Sequence, residues 1–214
     1  MASKRGALLV LEGCDRAGKS TQVMKLVQAL NARGIVAEGW RFPDRRTAVG
    51  KLLDQFLSKA EDLPLETAHL LFSANRWECC TKMINTILSG TTLVVDRYAG
   101  SGAAYTAATT GKDLSWCKEP DRGLPSPDLV ALIEVSEETQ VCRINWGGER
   151  FEKSELQRKV ATNLRNLMDE TWVTVDGNDI VCILYSIMIL NQQTHCRVLN
   201  HRNIHSLLHN PQYL

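Results

Sequence analysis

Short apolar runs, in which hydrophobic residues follow one another without polar alternation, recur along the chain. Such runs are typical of β-strands that are buried on both faces, as in parallel sheets. This pattern predicts five strands, at residues 7–11, 36–42, 91–96, 129–135 and 172–175.

Between these runs, apolar residues recur at spacings of three and four, which predicts helices. The predicted helices cover residues 19–32, 47–58, 65–88, about 101–108, 137–143 and 153–170, and a loop rich in glycine and proline follows the fourth of them. Strands that alternate with helices indicate a parallel sheet with right-handed crossovers. The predicted fold class is α/β, with three layers in which helices flank a five-stranded parallel sheet.

The pattern changes after Gly177. Residues 180–190 are apolar with no polar face, and residues 195–214 are polar, with four histidines and no clear period. We therefore expect one domain over residues 1–177 and a divergent C-terminal segment over residues 178–214, with one helix and a poorly ordered tail.

Charge and hydropathy exclude some classes of function. The formal net charge of +1 gives no reason to expect binding to nucleic acid or to a membrane surface. The apolar run at residues 180–190 is shorter than the roughly 20 residues that span a bilayer. The first six residues lead directly into a strand, so we expect no targeting peptide.

The seven cysteines include an adjacent pair, Cys79 and Cys80, but no CxxC or Cys/His metal spacing. An odd number of unpatterned cysteines is typical of reduced thiols. We expect a cytoplasmic protein, with the nucleus as an alternative.

Residues 13–20, GCDRAGKS, fit the phosphate-loop pattern GxxxxGK[ST] between a buried strand and a helix. In such a loop, glycines turn backbone N–H groups toward phosphate oxygens, and the helix N-terminus adds partial positive charge. Lys19 would reach the β- and γ-phosphates. The alternative is an ordinary glycine-rich turn, which has no reason to carry Lys-Ser at the helix start. The loop residues predicted to bind ATP are Gly13, Arg16, Ala17, Gly18, Lys19, Ser20 and Thr21. The fold is thus predicted to be a P-loop NTPase fold.

Asp96 ends the third predicted strand, where a Walker-B carboxylate would meet Mg²⁺. The predicted metal residues are therefore Ser20 and Asp96. The alternative for Asp96 is a strand-end residue that caps the next helix.

Arginines lie mostly at predicted strand ends and in loops, and their positions are 41, 45, 46, 76, 97, 143 and 150. A phosphotransferase needs several of them to neutralise the transferred group, although a lone arginine is usually a surface residue. Position favours function for Arg97 and Arg45. Phe72 and Arg76 share one face of a helix and could contact a base, but spacing alone favours a core phenylalanine and an arginine that extends to solvent.

Several of these segments together resemble thymidylate kinases of the eukaryotic and poxvirus type. The matching segments are residues 5–13, the phosphate loop with Asp-Arg inside it, 41–45 (RFPDR), 70–78 (LLFSANRWE), 93–99, 101–102, 123–130 and 149–152. They occur in order and cover roughly residues 5–177. The resemblance implies an enzyme that transfers the γ-phosphate of ATP to dTMP, with Mg²⁺ as cofactor, as a homodimer.

The resemblance also implies roles for individual residues. Asp15 would contact the 3′-hydroxyl of the acceptor and Arg16 the transferring phosphoryl group. Arg45 and Arg97 would hold the acceptor phosphate. The implied catalytic residues are Asp15, Arg16, Lys19 and Arg97. The implied substrate-binding residues are Asp15, Phe42, Arg45, Phe72, Arg76, Arg97, Ser101, Gly102, Tyr105 and Phe151.

Within this set, Phe72 would stack on thymine and Arg76 would bond its carbonyl edge. Tyr105 would lie against the deoxyribose and disfavour a 2′-hydroxyl. Residues of about 140–153 would form a mobile lid that brings Arg143 to ATP, and Phe151 stands where the family often has tyrosine.

The expected mechanism needs no side-chain base, because a nucleotide phosphate has its second pKa near ~6 and is largely dianionic at neutral pH. Cysteines and histidines are therefore expected to be non-catalytic. Two alternatives stay open: a kinase for another nucleotide or nucleoside, and a nucleotide-binding protein whose altered C-terminus reduces turnover.

Overall fold

The computed structural model describes residues 5–143 and 148–178. The predicted helix and tail of the C-terminal segment lie outside the described residues.

Five strands form one sheet in which every neighbouring pair is parallel, and the strand order is β2-β3-β1-β4-β5. The strands are β1 (Leu8–Glu12), β2 (Ala37–Arg41), β3 (Thr92–Asp96), β4 (Leu129–Glu134) and β5 (Trp172–Asp176). All residues of β1 and β3 are buried, as their uninterrupted apolar runs predict. The predicted α/β class and P-loop NTPase sheet are confirmed.

Helices cover both faces of this sheet. They are α1 (Lys19–Ala32), α2 (Ala48–Leu57), α3 (Leu65–Leu88), α4 (Ala99–Thr110), α5 (Leu114–Lys118), α6 (Glu137–Val141) and α7 (Ser154–Asn166), with a 3-10 helix at Glu119–Asp121. Helices α1 and α3 match their predicted bounds. Helix α5 and the 3-10 helix occupy a segment that the sequence pattern predicts to be loop, because five and three residues are too short for a visible period.

The hydrophobic core has two layers, one on each face of the sheet. On one face, Val23, Leu26 and Leu30 of α1 pack against strand residues such as Leu9 and Val94. On the other face, side chains of α3, α4 and α7 pack against the opposite sides of the same strands. Among the helices of the described ranges, none combines the length and apolar character that crossing a membrane requires.

The carboxyl ends of the parallel strands lie at one edge of the sheet. The register places Asp96 of β3 beside Leu11 of β1 and beside Arg41 of β2. Loops that follow β1, β2 and β3 therefore converge there, which is where ligands bind in open α/β sheets.

Candidate active site

A cleft of about 440 Å³ opens at this edge of the sheet. The structure brings to it residues that the sequence scatters over more than 130 positions. The predicted site residues that line it are Asp15, Arg16, Gly18, Lys19, Ser20, Thr21, Phe42, Arg45, Phe72, Arg76, Asp96, Arg97, Ser101, Gly102, Tyr105, Arg143 and Phe151. Gly13 and Ala17, which are also predicted site residues, are buried within the phosphate loop and do not line the cleft.

The phosphate loop turns sharply between β1 and α1. Its backbone has φ of 144° at Gly13 and 95° at Gly18, a region that side chains disfavour. A Cβ on Gly13 would also lie 2.5 Å from the carbonyl oxygen of Ile133. Both glycines are thus required by the turn itself.

Lys19 folds back over this loop instead of extending into solvent. Its ammonium donates hydrogen bonds to the carbonyl oxygens of Gly13 (3.0 Å) and Cys14 (2.6 Å). Burial is the main cause that lowers the pKa of Lys19 to about 8, and the nearby positive charge of Arg97 lowers it further. An anion that entered the cleft would favour the charged form of this lysine.

Ser20 and Asp96 meet at the other side of the loop, where the serine hydroxyl donates a hydrogen bond to the carboxylate. Asp96 is 2% exposed, and Arg41 Nε lies 3.8 Å from Oδ2, the same carboxylate oxygen that accepts the hydrogen bond from Ser20. Mg²⁺ beside a phosphate chain usually takes only one or two protein oxygens. The hydroxyl and carboxylate fit that requirement, although no cluster of three metal-ligating side chains occurs among the described residues.

Arg97 links the phosphate loop to the start of α4. Its guanidinium donates hydrogen bonds to Asp15 Oδ1 (2.5 Å), to the Gly13 carbonyl (3.1 Å) and to Ser101 Oγ (3.1 Å). It also lies over the ring of Tyr105, 5.1 Å from the centroid. A fixed positive charge therefore stands beside Asp15 at the centre of the cleft.

Arg76 is 3% exposed and does not extend to solvent, so the interpretation that spacing alone favours is wrong for this residue. It makes two hydrogen bonds to Asp121, of 3.0 and 2.6 Å, across a fully buried pair. A Cβ on Gly102 would lie 2.6 Å from its Nη2 atom, so the glycine makes room for the guanidinium. Phe72 lines the cleft one helical turn away.

Comparisons with known proteins bear on this arrangement. A sequence model of the thymidylate kinase family matches residues 11–183. The thymidylate kinase of Danio rerio is 49% identical over 180 residues, which are 83% of this chain and 85% of the relative. The thymidylate kinase of Homo sapiens is 49% identical over 181 residues, with the same coverage of this chain (83%) and of the relative (85%).

This chain belongs to the thymidylate kinase family. A solved structure agrees: that of the thymidylate kinase from Candida albicans superimposes with a TM-score of 0.82 and 34% sequence identity. The superposition covers 90% of this chain and 94% of the other.

In this thymidylate kinase family member, residues of the predicted lid contact both the phosphate loop and α2. Arg143 donates hydrogen bonds to the carbonyls of Arg16 and Gly177. Arg150 lies over the ring of Phe56, 4.3 Å from the centroid, and donates 2.7 Å to the Phe56 carbonyl. The described part of the lid is thus held across the cleft.

Arg45 bridges two carboxylates, Asp54 of α2 at 2.6 Å and Glu149 of the lid at 2.7 Å. Arg16 pairs with Glu152 at 2.7 Å, and Glu152 is 6% exposed. The predicted phosphate-binding arginines therefore have acidic partners that were not predicted.

Other residues of the site also escape sequence reasoning. Glu12 is 1% exposed and accepts hydrogen bonds from the backbone N–H groups of Tyr98 and Ser101, so it caps the start of α4. Gln140 and Gln157 are buried and hold Asp15. The one sequence signal for Glu12 is a charged residue at the end of an apolar strand.

Proposed function

We propose that this chain transfers the γ-phosphoryl group of ATP to dTMP, which yields dTDP and ADP. The observation that carries the proposal is that a phosphate loop and an arginine-lined acceptor pocket open into one cleft. In addition, the chain belongs to the thymidylate kinase family.

On the donor side, those backbone N–H groups of the phosphate loop and of the start of α1 that face the cleft would bind the triphosphate. We infer that Ser20 and Asp96 hold Mg²⁺, the hydroxyl directly and the carboxylate through water. When bound, Mg²⁺ supplies positive charge that neutralises the β- and γ-phosphate oxygens. Lys19 adds a second, fixed charge from inside the loop.

On the acceptor side, the dianionic phosphate of dTMP is already a nucleophile, so no side chain has to remove a proton. Catalysis is then alignment and charge neutralisation. Arg97 and Arg45 would hold the acceptor phosphate, and Arg16 would neutralise the group in transfer. The lid residues, which already contact both sides, would exclude water.

Recognition of the base rests on Phe72 and Arg76. Asp121 uses two of the five N–H donors of Arg76, so others can bond a thymine carbonyl. The buried pair with Asp121 keeps the guanidinium in one orientation. In dCMP, the cytosine amino group is a hydrogen-bond donor where thymine has a carbonyl acceptor. It would meet the N–H donors of Arg76 without forming a hydrogen bond, which disfavours dCMP.

A panel of acceptors in a coupled ADP-release assay tests the proposal. We expect kcat/KM for dTMP to exceed that for dUMP by about tenfold, because one methyl group in an apolar pocket is worth about that much. We expect dCMP to be a poorer acceptor than dUMP.

Two results would contradict the proposal. Equal kcat/KM for dTMP and dCMP would indicate a kinase for another acceptor. Tight binding of dTMP without ADP release would indicate a nucleotide-binding protein without turnover. The homodimer and the cytoplasmic location are also proposals, and light scattering of the purified protein tests the first.

A further inference from the structure

The side chain of Gln157, on α7, is buried behind the phosphate loop with 2% exposure. Its Nε2 donates hydrogen bonds to Asp15 Oδ2 (2.6 Å) and to the carbonyl of Phe151 (2.9 Å). Its Oε1 accepts a hydrogen bond from the backbone N–H of Asp15 (2.8 Å). Both N–H groups of the carboxamide are therefore used, and one of them fixes a carboxylate oxygen of Asp15.

Gln140, on α6, contacts the same residue from the other side. Its Nε2 donates to the backbone carbonyl of Asp15 (2.6 Å), and the residue is 5% exposed. Two glutamines from two helices thus bond the N–H, the C=O and the carboxylate of Asp15. Buried polar groups in a fully satisfied network hold a single geometry.

Asp15 and Gln157 differ in their access to the cleft. Asp15 lines the cleft, whereas Gln157 is not among the described residues that line it. Arg97 donates one hydrogen bond to Oδ1 of Asp15, and Gln157 donates one to Oδ2. A carboxylate offers about four acceptor sites, so Asp15 can still accept a hydrogen bond from the cleft.

We propose that Gln157, supported by Gln140, is the positioning residue that aims Asp15 at the acceptor sugar and so sets the preference for a 3′-hydroxyl. This inference rests on the proposed function. Gln157 does not line the cleft itself and acts through Asp15; its other contacts with lining residues are to the Phe151 carbonyl and to the Tyr105 hydroxyl, which donates to its Oε1 (3.3 Å). The position needs a side chain that both donates to the Asp15 carboxylate and accepts from the Asp15 backbone N–H. A carboxylate could not donate, and an apolar side chain could neither donate nor accept.

The test is Gln157→Met, which keeps the size of the side chain and removes its hydrogen bonds. We expect kcat/KM for dTMP to fall by about tenfold to a hundredfold, as for a lost hydrogen bond to a charged group. We expect a much smaller fall for 3′-deoxy-dTMP, so that the ratio of the two kcat/KM values collapses. KM for ATP should stay within about twofold, because Asp15 faces the acceptor side.

The matched control is Asn163→Leu on the same helix. Asn163 Nδ2 donates to the carbonyl of Ala104 at 3.0 Å, so this variant also loses a bond from a carboxamide on α7 to protein, but none to Asp15. We expect Asn163→Leu to keep the acceptor ratio of the wild type. Circular dichroism melting of both variants monitors the fold.

A double-mutant cycle separates positioning from general support. If Gln157 acts through Asp15, Gln157→Met should have little further effect on kcat/KM in an Asp15→Asn background. Additive losses, or an unchanged acceptor ratio in Gln157→Met, would overturn the inference. A wild type that does not distinguish the two acceptors would overturn it as well, whereas a wild type that does not phosphorylate dTMP would overturn the proposed function.

Discussion

Lys19 is the residue whose protonation ties the site most directly to pH. Its pKa of about 8 lies below the ordinary value of 10.5, chiefly because the ammonium is buried. The folded state therefore releases this proton more easily than the unfolded state. Below pH 8, where Lys19 is charged in both states, its burial lowers the free energy of unfolding. That cost is relieved as the pH rises from about 8 to 10.5.

Binding of ATP should follow the charge of Lys19. Under the proposed function, Lys19 binds the phosphates of ATP in its charged form, so kcat/KM for ATP should fall by about tenfold per pH unit well above pH 8. A bound phosphate raises the pKa, so kcat at saturating ATP should persist to higher pH. The measurement is a pH profile of both constants, and a profile of kcat/KM that stays flat to pH 9.5 would contradict the expectation.

The sequence predicts the role of a residue when that role depends on neighbours along the chain. Residues 13–20 are recognisable because loop, lysine and helix start are contiguous. Gln157 lies 142 positions from Asp15, and Glu12 lies 89 positions from Ser101. Their roles depend on how α7 and α4 pack on the sheet, and no local pattern encodes that packing.

The 3-10 helix at Glu119–Asp121 is an element that the sequence pattern misses, although it orients Arg76, which lines the cleft. It carries Asp121, which pairs with Arg76 and also accepts a 2.7 Å hydrogen bond from Ser73. A loop rich in glycine and proline gives no sign of this, because three residues have no period. The larger elements α1 and α3 are predictable since their apolar faces repeat over several turns.

Removal of the Asp121 carboxylate should leave the buried guanidinium of Arg76 without its partner. We expect Asp121→Ala to lower the free energy of unfolding by about 3–5 kcal/mol, the usual cost of breaking a buried pair. KM for dTMP should rise, because Arg76 loses its fixed orientation. Denaturant unfolding and steady-state kinetics measure the two effects.

The control lies on the same element. Glu119 pairs with Arg122 at the surface, and both side chains are about half exposed (56% and 49%). Glu119→Ala should cost less than about 1 kcal/mol, as exposed pairs do. Similar losses in the two variants would show that the burial of the Asp121 pair does not matter.

In the molecule as a whole, the described part of the lid is held to α2 by Arg150. Besides its contact with Phe56, Arg150 donates hydrogen bonds to the Glu61 carbonyl (2.9 Å) and to Asp62 (2.6 Å). One backbone amide of this segment also bonds to α2, since the Arg150 N–H donates to the Leu57 carbonyl. These contacts join the two sides of the cleft.

Arg150→Met should release this connection. We expect faster backbone hydrogen exchange over residues 148–153 and at the C-terminal end of α2, because fewer contacts oppose local opening. We also expect kcat/KM for both substrates to fall, since lid closure excludes water. Hydrogen-exchange mass spectrometry checks the first effect. Arg158→Met, which removes an exposed pair with Glu137, is the control and should leave exchange in residues 148–153 unchanged.

Glu12 has a consequence for inhibition. It ends the strand that leads into the phosphate loop, and its carboxylate caps the helix that carries Ser101 and Tyr105. Glu12, together with Arg97, therefore joins the phosphate loop to the helix that lines the other side of the cleft, and a shift of either element would act on the other through these two side chains. Coupling between two binding sites is reciprocal. If bound ATP raises the affinity for the acceptor by some factor, the bound acceptor raises the affinity for ATP by the same factor. The potency of a drug that mimics dTMP would then depend on the energy charge of the cell in which it acts.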